Sequence, residues 1–195
     1  MAPASNSRRV ALVALFTALA LVLNLVVSVP APYADFLFYE VWEIPVVVAL
    51  LVLGFWGGST VAVLNALALE LAKPGALPTG PVYNLIAEVS MFLGLLAVQR
   101  VSSGRAWSKA RLVVAATGAG VLSRTAVMTL VNGVILPLPY PVGFGSFGVT
   151  EAQVPALLVL IGVFNFTVAL YTIPLAYSVE RAIASRLRLY GLAAA

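Results

Sequence analysis

Residues 44–72 read IPVVVALLVLGFWGGSTVAVLNALALELA. The run is almost continuously apolar and too long for one crossing of a hydrocarbon core, which takes about 17–25 residues. The cluster GFWGG at 54–58 divides it, because closely spaced glycines favour a turn. The stretch is therefore read as two helices, a short one at 44–55 and a second at 58–72. Working outward, residues 9–29 form an earlier apolar run, ended by the PAP of 30–32. Later runs cover about 82–99, 110–135 and 154–180, so the expectation is an all-α integral membrane protein with six transmembrane helices in a single transmembrane domain over 1–195.

Composition agrees with that reading. The chain is 62% hydrophobic and 9% charged, with a mean hydropathy of +1.06, whereas soluble domains carry about 25% charged residues. The net charge of +4 is no nucleic-acid footprint, because the basic residues form short clusters between apolar runs rather than a stripe. With no cysteine and no histidine, disulfides, thiol nucleophiles, imidazole bases and the usual zinc ligands are excluded. No phosphate-cradling GxxxxGK[ST] loop is present, so the chain is not expected to hydrolyse ATP by itself. The first run lacks a convincing small-residue cleavage site and is read as a retained helix.

Orientation follows from lysine and arginine. Arg8 and Arg9 precede helix one, Arg100, Arg105, Lys109 and Arg111 lie between helices four and five, and Arg181, Arg186 and Arg188 follow helix six. Six spans place all three clusters on one side, which the positive-inside rule makes cytoplasmic together with both termini. Lys73 would be the one basic residue of an outer loop, and Asp35, Glu40, Glu43 and Glu151 would fall in or beside outer loops.

The polar residues inside the spans then collect toward the outer face. Asn24, Asn65, Glu70, Asn84, Glu88, Asn132 and Asn165 fall in the middle or outer half of their helices, with Arg124 near the middle. The i,i+4 spacing puts Asn84 and Glu88 on one helical face. Such groups face the bundle interior or a water-filled cavity and pair there, so the set points to a pocket open to the outside. Asparagines also serve as ordinary interhelical glue, worth about 0.6–2 kcal/mol. Arg124 is expected to be structural, ion-paired with Glu88 or Glu70. In the loop APYADFLFYEVWEIP, 31–45, the aromatics Tyr33, Phe36, Phe38, Tyr39 and Trp42 can form an interfacial belt or cap a flat ligand. Ala14 and Ala18, in ALFTA of helix one, are a small-xxx-small pair that permits close helix approach, and they lie away from the polar cluster.

Taken in order, these segments resemble the substrate-binding S components of energy-coupling factor (ECF) vitamin transporters, and most closely the riboflavin-specific, RibU-like group. ALFTA is similar to that family's AxxxA coupling motif. WEIPVVVALLVLGFWGGSTVAVLNALALEL (42–71) is similar to its D-I-P helix, glycine turn and Asn-bearing helix. TGPVYNLIAEVSMFLG (79–94), RTAVMTLVNGVILPLPY (124–140) and IGVFNFTVALYTIPLAYSVERAI (161–183) resemble its fourth, fifth and last helices.

The resemblance implies a ligand enclosed near the outer surface beneath a loop-one lid. It implies vitamin contacts at Asn132, Asn165 and Asn84, and a coupling face at Ala14 and Ala18. Glu88, Tyr39 and Phe38 complete the expected substrate site. No metal site and no resident cofactor are expected; riboflavin would be the transported ligand. The implied partners are a transmembrane coupling subunit and two cytoplasmic ATPase subunits in the cell membrane. Three positions depart from the riboflavin group: its helix-six lysine falls at Val168, its helix-four acid at Pro81, and the D-I-P acid is Glu43. Thiamine, pantothenate, a pyrimidine precursor and a queuosine precursor therefore stay open beside riboflavin. Other readings are a stand-alone proton- or ion-coupled transporter using Glu70 and Glu88, an intramembrane enzyme, and a structural subunit. The enzyme reading finds no nucleophile beside a recognisable base.

Overall fold

The computed structural model describes residues 6–72 and 77–189. Lys73 lies outside the described residues, as do the side chains of Asp35, Arg186 and Arg188. Five helices carry the architecture: α1 (Asn6–Val26), α2 (Glu43–Ala72), α3 (Gly80–Ser102), α4 (Lys109–Ile135) and α5 (Val154–Leu189). All five are long and apolar enough to cross a membrane. Between α1 and α2 lies an antiparallel ribbon of β1 (Ser28–Ala31) and β2 (Ala34–Glu40).

The ribbon corrects two expectations. Residues 31–45 are not an irregular loop, and the first helix stops at Val26 rather than 29, because Ser28 and Val29 pair with Glu40 and Tyr39. Pro30 is tolerated there since each strand of a two-stranded ribbon is an edge and owes no second ladder.

The long apolar run forms one element, α2, broken at Gly54, whose backbone (φ 79°, ψ −178°) lies where side chains are strained. The chain reverses at this point. A Cβ added at Gly58 would lie 2.8 Å from the Leu50 Cα, although a straight helix would separate residues eight apart by about 12 Å. The two arms of α2 thus pack against each other. Arg9 reaches to 3.4 Å from the Leu53 carbonyl, and Arg181 to 3.4 Å from that of Lys109. The start of α1 therefore lies beside the α2 reversal, and the C-terminal part of α5 lies beside the start of α4.

The other helix boundaries have local causes. Pro81 opens α3, where its missing N–H is not needed. Ser108 caps α4 by accepting from the Arg111 N–H at 3.2 Å. Helices α3 and α4 meet closely: a Cβ at Gly94 would sit 2.4 Å from the Ala119 carbonyl oxygen and 2.8 Å from the Gly120 Cα. Small residues allow this approach in lipid, where packing rather than water exclusion drives association. The core between them is filled by Met91, Phe92, Leu95, Val121 and Ile173.

One ion pair crosses the core. Arg124 of α4, 2% exposed, grips Glu43 at the start of α2, 5% exposed. Nη1 donates to Oε2, Nη2 donates to Oε1 at 2.8 Å, and Nε donates to Asn165 Oδ1 on α5 at 3.0 Å. This overturns the expected pairing with Glu88 or Glu70: Glu70 is exposed, and Glu88 makes no bond to the guanidinium. Glu43, expected in or beside an outer loop, stands at the first residue of α2 next to the ribbon and is buried, because the short first arm of α2 begins inside the bundle.

Removing one partner strands the other charge. Arg124→Met or Glu43→Met alone should each cost about 3–5 kcal/mol, read as a lowered unfolding temperature in mild detergent. The double variant should recover much of that loss, giving a strong coupling in the double-mutant cycle. Gly94→Leu should separate α3 from α4 and destabilise the fold by about 1–3 kcal/mol or more, measured in the same assay.

Candidate functional site

A cavity of about 650 Å³ lies among α3, α4, α5 and the ribbon. That volume is in the range of small-molecule sites, roughly 300–1,000 Å³. At its deep end stand Arg124 and Asn165, with Ala87 and Met128 beside them. Further along α3 and α4, one turn from Ala87 and Met128, Asn84 and Asn132 face the same space. Phe36 and Phe38 of β2, Phe164 of α5 and Phe144 of the segment after α4 supply the aromatic lining.

Each part is positioned by identifiable bonds. Tyr171 of α5 donates to the Glu40 carbonyl at 2.5 Å and fixes the end of β2. Tyr33 and Tyr39 share a hydroxyl–hydroxyl bond of 2.5 Å across the ribbon turn. Burial, reinforced by that bond, pushes the Tyr33 hydroxyl up to about 12. The segment after α4 is held over the mouth by α3: Tyr83 donates to the Val142 carbonyl at 2.5 Å and Thr79 to that of Pro141 at 2.9 Å. Phe36 and Phe144 then meet with ring centroids 6.2 Å apart.

The three asparagines differ in what they have left to offer. Asn165 is 3% exposed; its Oδ1 accepts from Arg124 and its Nδ2 donates to the Ile161 carbonyl at 2.9 Å. Asn132 donates from Nδ2 to the Met128 carbonyl at 2.7 Å, leaving its amide oxygen to accept. Asn84 is exposed into the cavity, and its side-chain amide makes no hydrogen bond among the described residues. The geometry thus offers two adaptable amides, an aromatic enclosure and a charge-compensated deep end. It can hold a flat, polar-edged molecule by stacking and hydrogen bonding.

Two expected site residues do not line the cavity. Tyr39 turns its ring onto Phe164, centroids 5.2 Å apart, and its hydroxyl onto Tyr33, so it backs the wall. Glu88, one turn inward from Asn84 on α3, is wholly buried. Phe38 does line the cavity. Phe144 and Phe164 were missed; the only signals were a Gly-rich aromatic segment, GFGSFG, and adjacency to Asn165. Val168 and Pro81, where the riboflavin-group pattern is broken, are outside the lining as well. Ala14 and Ala18 are exposed on α1 together with Leu15 and Leu19.

Among the described residues no cluster of acids could hold a metal ion. No protein-family model matches the chain. No curated protein matches it either. Among solved structures, the chain is similar to the S component of a bacterial ECF transporter, with a TM-score of 0.73 and 21% sequence identity. The similarity covers 94% of this chain and 99% of that one, so the two share a multi-pass helical membrane fold along essentially their whole length.

Proposed function

We propose that this protein is the S component of an ECF-type transporter, binding a water-soluble vitamin, riboflavin first, at the outer face of the cell membrane. The observation that carries the reading is the cavity, where Asn84, Asn132 and Arg124 converge with Phe36, Phe38, Phe144 and Phe164. An isoalloxazine is flat, apolar on its faces and rich in hydrogen-bonding groups along one edge, which is what stacked rings and side-chain amides recognise. The full-length likeness in fold to an S component supports the same assignment.

On this reading the two arms of α2 count as separate segments, giving six in all, with both termini and the basic end cytoplasmic. The chain performs no covalent step. It binds tightly from outside and releases when a transmembrane coupling subunit and two cytoplasmic ATPase subunits shift it to a state of lower affinity; a ligand can shift such an equilibrium only by its affinity difference between states. The exposed face of α1 around Ala14 and Ala18 is the surface offered to the coupling subunit, since small residues let helices approach closely in lipid.

Protein purified in mild detergent from cells grown in rich medium should carry a flavin absorbance band, identified by mass spectrometry after denaturation. A colourless protein that also fails to bind added riboflavin would overturn the flavin assignment. Asn132→Ala should weaken riboflavin binding about tenfold, the worth of one hydrogen bond of about 1.4 kcal/mol. Replacing Ala14 and Ala18 by leucine should leave binding unchanged but cut cellular uptake by about tenfold or more, because the bulk holds the partner helix away. Uptake undiminished by that double change would remove this face from the coupling role.

A further inference from the structure

A second groove, of about 420 Å³, runs between the second arm of α2 and the first turns of α3. It shares no lining residue with the cavity described above. Helix α3 separates the two: Val82 and Leu85 face the groove, whereas Tyr83, Asn84 and Ala87 face the cavity. On α2, Val63, Leu67 and Glu70 follow i, i+4, i+7 spacing and form one stripe of the groove wall. The groove opens on the outer surface of the bundle, because Leu67 and Val82, one on each wall, are 59% and 51% exposed. Both walls belong to segments long and apolar enough to cross a membrane, so this surface meets lipid.

Polarity changes along the groove. From Val63 to Glu70 the helix rises about 10 Å, and the lining passes from apolar to charged. Glu70 stands in the last turn of α2, one residue from the end of its span. Thr79 and Pro141 lie toward that same end, and the Thr79 hydroxyl is already committed to the Pro141 carbonyl at 2.9 Å. The groove therefore has an apolar floor and an anionic rim, the layout of an amphiphile.

The rim needs a cation. Glu70 is exposed and forms no ion pair among the described residues, where the one salt bridge is that of Arg124 with Glu43; Lys73 lies outside them. The carboxylate also sits at the negative end of the helix dipole, with no basic residue in that last turn of α2. A cation held at the membrane surface relieves both.

We propose that this groove is a lipid site: one acyl chain lies along Val63, Leu67, Val82 and Leu85, and a headgroup bearing a primary ammonium donates to Glu70. The apolar floor sets the orientation, with the chain toward the membrane interior and the headgroup at the end of the span. The carboxylate sets the class of headgroup. A primary ammonium makes a charge-assisted hydrogen bond to it, a quaternary choline has no N–H to give, and an anionic headgroup is repelled. The inference requires only that the chain spans a membrane and is independent of what the first cavity binds.

Lipid competition tests it. Protein stripped of lipid in detergent is offered an equimolar mixture of phosphatidylethanolamine, phosphatidylcholine and phosphatidylglycerol with identical acyl chains, and retained lipid is read by native mass spectrometry. The wild type should retain phosphatidylethanolamine over phosphatidylglycerol by about threefold to fivefold, as for one exposed ion pair. Glu70→Gln should abolish that preference while lipid still binds. Leu67→Trp should fill the groove and lower retention of all three lipids severalfold. Both side chains are exposed, so both variants should fold. Equal retention of phosphatidylethanolamine and phosphatidylglycerol by the wild type overturns the proposal, and so does a preference that survives Glu70→Gln. Retention unchanged in Leu67→Trp overturns it as well, because the lipid then sits elsewhere.

Discussion

The guanidinium of Arg124 sets the terms for the rest of the molecule. A charge in the interior of a membrane protein is tolerated only when paired and hydrogen-bonded, and the partner here is Glu43, at the first residue of α2. Residues 43–53, the first arm, rise only roughly 16 Å at 1.5 Å per residue, about half of a hydrocarbon core near 30 Å. The arm therefore starts inside the bundle, which is where Arg124 needs its counterion. The chain leaving α1 must then reach that depth without a helix. Backbone polar groups there need internal partners, and the β1–β2 ribbon provides them strand to strand, with the Tyr171 hydroxyl taking the carbonyl at its end. The ribbon, the short arm and the buried ion pair are one solution to one electrostatic requirement.

That coupling explains which parts of the fold were legible in the sequence. Long apolar runs, the Gly54 break and the basic clusters are local signals, each with a physical meaning independent of its neighbours. The position of Glu43 is not local. Counting spans places any residue between two helices in a loop, and nothing in residues 31–45 announces that the loop dips. The only hint was the Glu-Ile-Pro of 43–45, read through its likeness to a D-I-P helix. The ribbon was hidden for a related reason: Pro30 and Pro32 read as helix stops, and prolines argue against strands except at edges. Glu88 and Glu70 were the acids placed inside the spans, and so the expected partners of Arg124. The depth of Glu43, which decided the pairing, came from tertiary structure.

The candidate site divides in the same way. Depth alone grouped Asn84, Asn132 and Asn165 with Asn24, Asn65, Glu70 and Glu88, and the family resemblance singled out the three; the structure places those three around one cavity, while the other four do not line it. The aromatic enclosure was half visible. Phe36 and Phe38 belong to an aromatic-rich stretch, whereas Phe144 joins them only because Tyr83 and Thr79 tie the segment after α4 back to α3. A contact made through two side-chain-to-carbonyl bonds, with partners about sixty residues apart, leaves no periodic trace in a sequence.

Equal placement does not mean equal roles. Asn165 has its oxygen on Arg124 and an N–H on the Ile161 carbonyl, so its amide is oriented by the ion-pair network and supports that network in return. A ligand gains little from a group so committed, and losing it would disturb Arg124 first. Asn132 has only its nitrogen engaged, on its own helix, which aims the amide oxygen without consuming it. Asn84 is unengaged and can turn either end of its amide to a ligand. Buried polar groups left unpaired are costly, and a site that spends them on a ligand rejects molecules lacking the match. Under the proposed function, discrimination therefore rests on Asn132 and Asn84, stacking on the phenylalanines supplies affinity, and Asn165 acts at one remove by keeping Arg124 in place.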